Sequence, residues 1–192
     1  MFADIRGFTS LSERLPPQGI VNLLNEYFEL MVDIIFKYEG TLDKFVGDEI
    51  MAIWGAPISR DDDAERAVRA AVEMQQAMER FNQSLAPEHQ FHIGIGLNTG
   101  EVVAGYMGST RSMSYTVMGD TVNTASRLCG QAGAKDLLIG PMTYREVGYL
   151  LDMERLPPTK LKGKAEHVDI YRVTRLKHVG DPTETRPLES PS

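Results

Sequence analysis

Two aspartates punctuate apolar runs in the first quarter of the chain. Asp4 closes the short run that opens the sequence, and Asp48 follows Gly47 inside "LDKFVGDEIMAIWG" (42–55). If the strands that carry them are neighbours, the two carboxylates converge, and such groups repel unless a cation lies between them. Mg²⁺ or Mn²⁺, hard ions that take oxygen ligands, would complete the pair and still draw further ligands from substrate phosphates. By itself a Gly-Asp dipeptide reads first as an ordinary turn, and the neighbouring motif is what favours a metal. After Asp4 comes "DIRGFTSL" (4–11), where Gly7 would let the backbone turn its amides toward an anion. No G-x-x-x-x-G-K-[ST] loop occurs anywhere. In "GDTVNTASR" (119–127), Asn123 and Arg127 are four apart and share a helix face. An amide and a guanidinium placed this way could orient a sugar and neutralise a phosphate, or simply line a solvated face. Arg111 in a Gly- and Ser-rich loop, and Lys160, Lys162 and Lys164 in "KLKGK", add cations to an acidic chain.

The elements that must position these groups follow from periodicity. Apolar residues at three-and-four spacing over 20–38 predict a helix with one buried face. Two apolar runs around Gly47-Asp48 predict a β-hairpin with Asp48 at its tip, since glycine at the first turn position permits a positive φ. Asp61, Asp62 and Asp63 stand where a helix N-terminus favours negative charge, ahead of a second helical pattern reaching Phe81. "FHIGIGLNTGEVVAGYMG" (91–108) reads as a second hairpin turning at Asn98-Thr99-Gly100, and its glycines fit close backbone packing better than a dinucleotide loop. A short helix over 121–129, the strand "DLLIG", a helix at "PMTYREVG" and two terminal strands complete the pattern. Together they predict an α+β fold with a ferredoxin-like core, its mixed or antiparallel sheet covered by helices on one face. One domain over 1–177 is expected, its first strand longer in a parent protein, with a Pro- and Ser-rich tail over 178–192.

Composition excludes several classes. A net charge of −7 argues against a nucleic-acid polymer held through many phosphates, though a single nucleotide needs only a few placed cations. The lone Cys129 rules out a disulfide framework and fits a reducing, cytoplasmic compartment. No apolar run reaches about 18 residues, so no membrane contact by this segment is expected, although a parent protein could be anchored elsewhere.

"FADIRGFTSL" (2–11), "DKFVGDEIMAIWGAP" (43–57), "MGDTVNTASRL" (118–128) and "LKGK" (161–164) follow one another in an order that resembles the class III nucleotidyl cyclases, the adenylate and guanylate cyclase catalytic domains. The resemblance runs from residue 1 to about 176. It implies that Asp4 and Asp48 hold two metal ions, Mg²⁺ or Mn²⁺, with the Ile5 carbonyl as a further ligand. Gly7, Phe8 and Thr9 would surround the phosphates, Arg111 and Lys162 would hold the terminal ones, and Asn123 and Arg127 would serve the transition state. Lys44 and Thr116 fall at the two base-reading positions. An ammonium and a hydroxyl complement adenine N1 and N6, whereas guanine N1–H would face the lysine donor, so ATP is the favoured substrate and cyclic AMP the product. The resemblance also implies a head-to-tail homodimer whose shared sites take Asp4 and Asp48 from one chain and Lys44, Thr116, Asn123 and Arg127 from the other, and a sensor domain is expected in a longer parent protein. The alternatives are a guanylate cyclase and a nucleotide-binding regulatory domain with little activity. "VGDEI" is faintly similar to a diguanylate cyclase turn but lacks its second glycine, and no aromatic strand supports an RNA-binding module.

Overall fold

The structure, a computed structural model, describes residues 1–160 and 167–177. The tail expected over 178–192 and Lys162 lie outside the described residues. The chain opens with β1 (Phe2–Arg6), a short helix α1 (Phe8–Arg14) and the long α2 (Pro17–Lys37). The hairpin β2 (Thr41–Val46) and β3 (Glu49–Ile53) follows, then α3 (Asp63–Ser84) and β4 (His92–Leu97). This βαββαβ order lies in space as β2-β3-β1-β4, with every neighbour antiparallel, which is the expected ferredoxin-like core. Beyond it come β5 (Val103–Ser109), β6 (Ser112–Met118), α4 (Asp120–Gln131), β7 (Leu137–Ile139), α5 (Pro141–Val147), β8 (Leu151–Thr159) and β9 (Val168–Leu176). The parallel pair β4/β7 extends the sheet to β9 and β8 and makes it mixed.

Periodicity placed the two long helices correctly because each has one apolar stripe to bury. Tyr27, Met31, Ile34 and Ile35 of α2, with Ala67, Val68, Ala71, Met74 and Met78 of α3, join Ala3, Ile5, Ile50, Ile93 and Ile95 of the sheet in the main core. The sheet is not covered on this face alone, as the sequence suggested. Phe2 and Met51, on the opposite face, pack with Ala125 and Cys129 of α4. The reason is Gly96: a Cβ there would lie 2.1 Å from the Cys129 backbone N and 2.4 Å from the Ala125 carbonyl, so only glycine lets the α4 backbone rest directly on β4.

The hairpin expected at Asn98-Thr99-Gly100 does not form. β4 is an inner strand held by β1 and β7, while β5 leaves the sheet and, among the described residues, pairs only with β6. Asn98 serves a long-range contact instead, donating from its side chain to the Thr121 carbonyl at 3.2 Å and so tying the end of β4 to the start of α4. Among the described residues no helix is long and apolar enough to cross a membrane.

Candidate active site

The β1/β3 pairing, with Ala3 opposite Ile50, carries Asp4 and the hairpin tip to the same end of the sheet. Gly47 has φ 64°, the left-handed value that a two-residue turn between Val46 and Glu49 needs at its first position. Asp48 thereby reaches Asp4. Burial first, and then the hydrogen bond and charge of Asp4, push the Asp48 carboxyl up to about 6, against backbone hydrogen bonds from Asp48 itself and Ile5. Glu49 is also raised, by burial and by the Asp4 charge. Two carboxylates crowded together beside a backbone strand are the donor set a hard divalent cation accepts when phosphate oxygens supply the rest. Among the described residues no group of three or more His, Cys, Asp and Glu could hold a metal without that help.

The raised Asp48 pKa has a measurable consequence. Because the folded chain holds this proton more tightly than the unfolded one, the ionised group destabilises the metal-free fold above about pH 6. The penalty shrinks as the pH falls from 6 toward the ordinary value of 3.8 and is gone below it. A shift of that size is worth about 3 kcal/mol for a buried group, and solvent screening at this half-exposed position reduces it to about 1 kcal/mol. Asp48→Asn is therefore expected to stabilise the chelator-treated protein by about 1 kcal/mol at pH 7.5 and by almost nothing below pH 4. Urea unfolding at the two pH values measures the difference.

Arg6, which the sequence reading passed over, links this end of β1 to α4. Its Nη2 pairs with the Asp4 carboxylate, while Nη1 donates to the carbonyls of Cys129 (3.3 Å) and Ala132 (3.2 Å). Gly7, with φ 72°, precedes α1, and no side chain caps the first turn that holds Phe8 and Thr9.

Lys44 and Thr116, distant in sequence, are brought to one carboxylate. The Thr116 hydroxyl lies 2.9 Å and the Lys44 ammonium 3.3 Å from Asp43 Oδ2. Thr116 is buried on β6, and Lys44 is on the edge strand β2. Asn123 and Arg127 do sit together on α4, but on its outer side. Successive residues turn by about 100°, which puts both about 160° around the helix from Ala125, the residue lying against Gly96. This chain's own pair therefore faces away from the sheet that carries Asp4 and Asp48. Arg111 is exposed at the tip of the β5–β6 hairpin. A cavity of about 680 Å³ beside Phe2, Trp54, Asn98 and Val147 is lined by none of Lys44, Thr116, Asn123, Arg127 and Arg111.

Asp4 and Asp48 stand together at one end of the sheet while Asn123 and Arg127 lie on the outer side of α4, and a family model described as the adenylate and guanylate cyclase catalytic domain matches residues 1–175. The chain belongs to this family. The cyclase domain is 36% identical over 192 residues to Adenylate cyclase 1 of Rhizobium meliloti (strain 1021), covering 96% of this chain and 28% of that protein. It thus spans little more than a quarter of that relative's length. Among solved structures it resembles the adenylyl cyclase CyaB from P. aeruginosa (TM-score 0.85, 36% identity, 92% of each chain). It resembles the guanylyl cyclase Cya2 equally (TM-score 0.86, 37% identity, 95% of this chain and 93% of that one). Overall likeness therefore does not separate the two purines.

Proposed function

We propose that this cyclase domain is an adenylate cyclase, a phosphorus–oxygen lyase that converts ATP to 3′,5′-cyclic AMP and pyrophosphate in a homodimer with two shared sites. The observation that carries the choice of ATP is the assembly of Lys44 and Thr116, 72 residues apart, around one buried carboxylate. A lysine donor matches the acceptor at adenine N1, and a threonine oxygen matches the donor hydrogens at N6. Asp4, Asp48 and the Ile5 carbonyl would hold two divalent ions, Mg²⁺ or Mn²⁺. Bound there, such ions lower the pKa of the ribose 3′-hydroxyl and neutralise phosphate charge. Gly7, Phe8 and Thr9 steady the phosphate tail, and Arg111, with Lys162 from outside the described residues, draws charge from its terminal groups. Asn123 of the partner copy, the copy that also supplies Lys44 and Thr116 to this site, orients the ribose. Arg127 of the same copy stabilises the charge that develops on the α-phosphoryl oxygens as the 3′-oxygen bonds to phosphorus and the pyrophosphate oxygen leaves.

The homodimer is supported by the outward Asn123–Arg127 face and by apolar side chains left exposed on the edge strand β2 (Phe45 and Val46) and on the separate β5–β6 hairpin (Val103, Tyr106, Met113 and Met118). A sensor domain in a longer protein accords with the short share of its relatives that the chain spans. A cytoplasmic setting accords with Cys129, a buried free thiol whose pKa burial pushes up to about 12. The likeness to Cya2 favours guanylate cyclase as the second reading.

Incubation with ATP or GTP and Mg²⁺ or Mn²⁺, with the product identified by mass spectrometry, tests the proposal. The wild type is expected to prefer ATP. Lys44→Glu combined with Thr116→Cys places an acceptor opposite guanine N1–H, and a mispaired buried polar group costs about 1–3 kcal/mol. The ATP:GTP ratio of kcat/KM is therefore expected to fall by about one to two orders of magnitude. An unchanged ratio would show that these residues do not read the base.

A further inference from the structure

We infer that Asp43 is a positioning residue for purine selectivity: its buried carboxylate takes the Thr116 hydroxyl hydrogen and anchors the Lys44 ammonium, so that Thr116 offers the base only an acceptor. The inference rests on Lys44 and Thr116 being the base readers. Its starting point is a break in the β2/β3 register. Leu42 stands opposite Ala52 and Lys44 opposite Met51, so Asp43 is the extra residue of a β-bulge. In a regular strand Asp43 and Lys44 would point to opposite faces. The bulge instead leaves Leu42 and Phe45 both on the α2 side, where Leu42 packs against the main core and the Phe45 ring lies 4.2 Å from that of Phe28. It brings Asp43 and Lys44 together on the side that faces β6.

Asp43 has no surface role there. Its side chain is 1% exposed, against 43% for Lys44. Oδ2 accepts from Thr116 at 2.9 Å and lies 3.3 Å from Lys44 Nζ, while Oδ1 is buried with no partner among the described residues. A threonine hydroxyl has one hydrogen, and alone it can serve either purine, donating to guanine O6 or accepting from adenine N6. A carboxylate accepts and does not donate. With its hydrogen committed to Asp43, Thr116 presents lone pairs, which suit the N6 amino group and oppose guanine O6. Selectivity assigned to two residues would thus depend on a third that touches no substrate.

The test compares kcat/KM for ATP and GTP in the wild type, Asp43→Ala, Asp43→Asn, Thr116→Val and the double variant Asp43→Ala/Thr116→Val. Calorimetric binding of 3′-deoxy-ATP and 3′-deoxy-GTP, which lack the attacking hydroxyl, runs alongside. Asp43→Ala is expected to lower the ATP:GTP ratio about tenfold, as for one mispaired polar group, and to shift the binding ratio of the 3′-deoxy analogues in the same direction. Asp43→Asn should keep most of the preference. The neighbouring ammonium, a donor only, turns the amide oxygen toward Lys44 and Thr116, where it still accepts. In the Thr116→Val background, Asp43→Ala should change the ratio far less, because no hydroxyl remains to be oriented. If Asp43→Ala fails to fold by circular dichroism, Asp43→Ser, whose oxygen falls short of Thr116, must show the same loss. Equal losses for ATP and GTP, or an undiminished effect of Asp43→Ala without the Thr116 hydroxyl, would overturn the role of Asp43 and leave the base readers standing. An unchanged ratio in Thr116→Val alone would overturn the base-reading assignment itself, and the inference with it.

Discussion

Asp4→Ala and Asp48→Ala are each expected to lower cyclisation by about a thousandfold or more while the domain stays folded. Metal-assisted stabilisation of a phosphoryl-transfer transition state is worth several kcal/mol, and each 1.4 kcal/mol is a factor of about ten in rate. The fold does not depend on either carboxylate. Asp4 is 31% exposed, and Arg6, released from it, keeps its bonds to the Cys129 and Ala132 carbonyls. Asp48 sits at a turn whose shape Gly47 sets. Removing it also relieves the crowding that raises its own pKa, so that variant gains stability in the absence of metal. Turnover with saturating Mn²⁺, together with urea unfolding of the same preparations, measures both effects. A folded variant with wild-type turnover would remove the two-carboxylate metal assignment.

Mixing two inactive variants is expected to restore activity. Asp48→Ala and Arg127→Ala should each be nearly inactive alone, since each strikes both sites of the proposed symmetric dimer. In the heterodimer both lesions fall into one site and the other keeps an intact Asp48 from one copy and an intact Arg127 from its partner. With equal amounts and free exchange, half the dimers are mixed and one site in each survives, giving about a quarter of the wild-type activity. The expectation comes from α4. Gly96 holds the Ala125 side of that helix against β4, so Arg127 is turned away from the Asp4 of its own chain. Differently tagged chains show that exchange has occurred. Tagged heterodimers as inactive as the separate variants would mean that each site is built within one chain.

The sequence by itself determined the local elements and the family. The apolar stripes of α2 and α3 repeat every 3.6 residues, Gly47-Asp48 fits one kind of two-residue turn, and four motifs in order are far more specific than any of them singly. Each of these signals is short-range, a preference of neighbouring residues that holds wherever the segment packs. The convergence of Asp4 and Asp48 was legible for the same reason, once the strands carrying them were taken as neighbours. Tertiary structure alone decided the rest. Asn98-Thr99-Gly100 has the composition of a hairpin turn, yet β4 is claimed on both edges by β1 and β7, partners that no local pattern names. The covering of both sheet faces depended on Gly96 accepting α4, a helix that begins 24 residues further along the chain. Arg6 gained its meaning from the Cys129 and Ala132 carbonyls it reaches at the end of α4. Asp43 left one trace in the sequence, the three-residue step from Leu42 to Phe45 that breaks strand alternation. Its contact with Thr116 is a packing event between strands of different sheets, and a period of two or 3.6 carries no information about which side chains meet across such a distance.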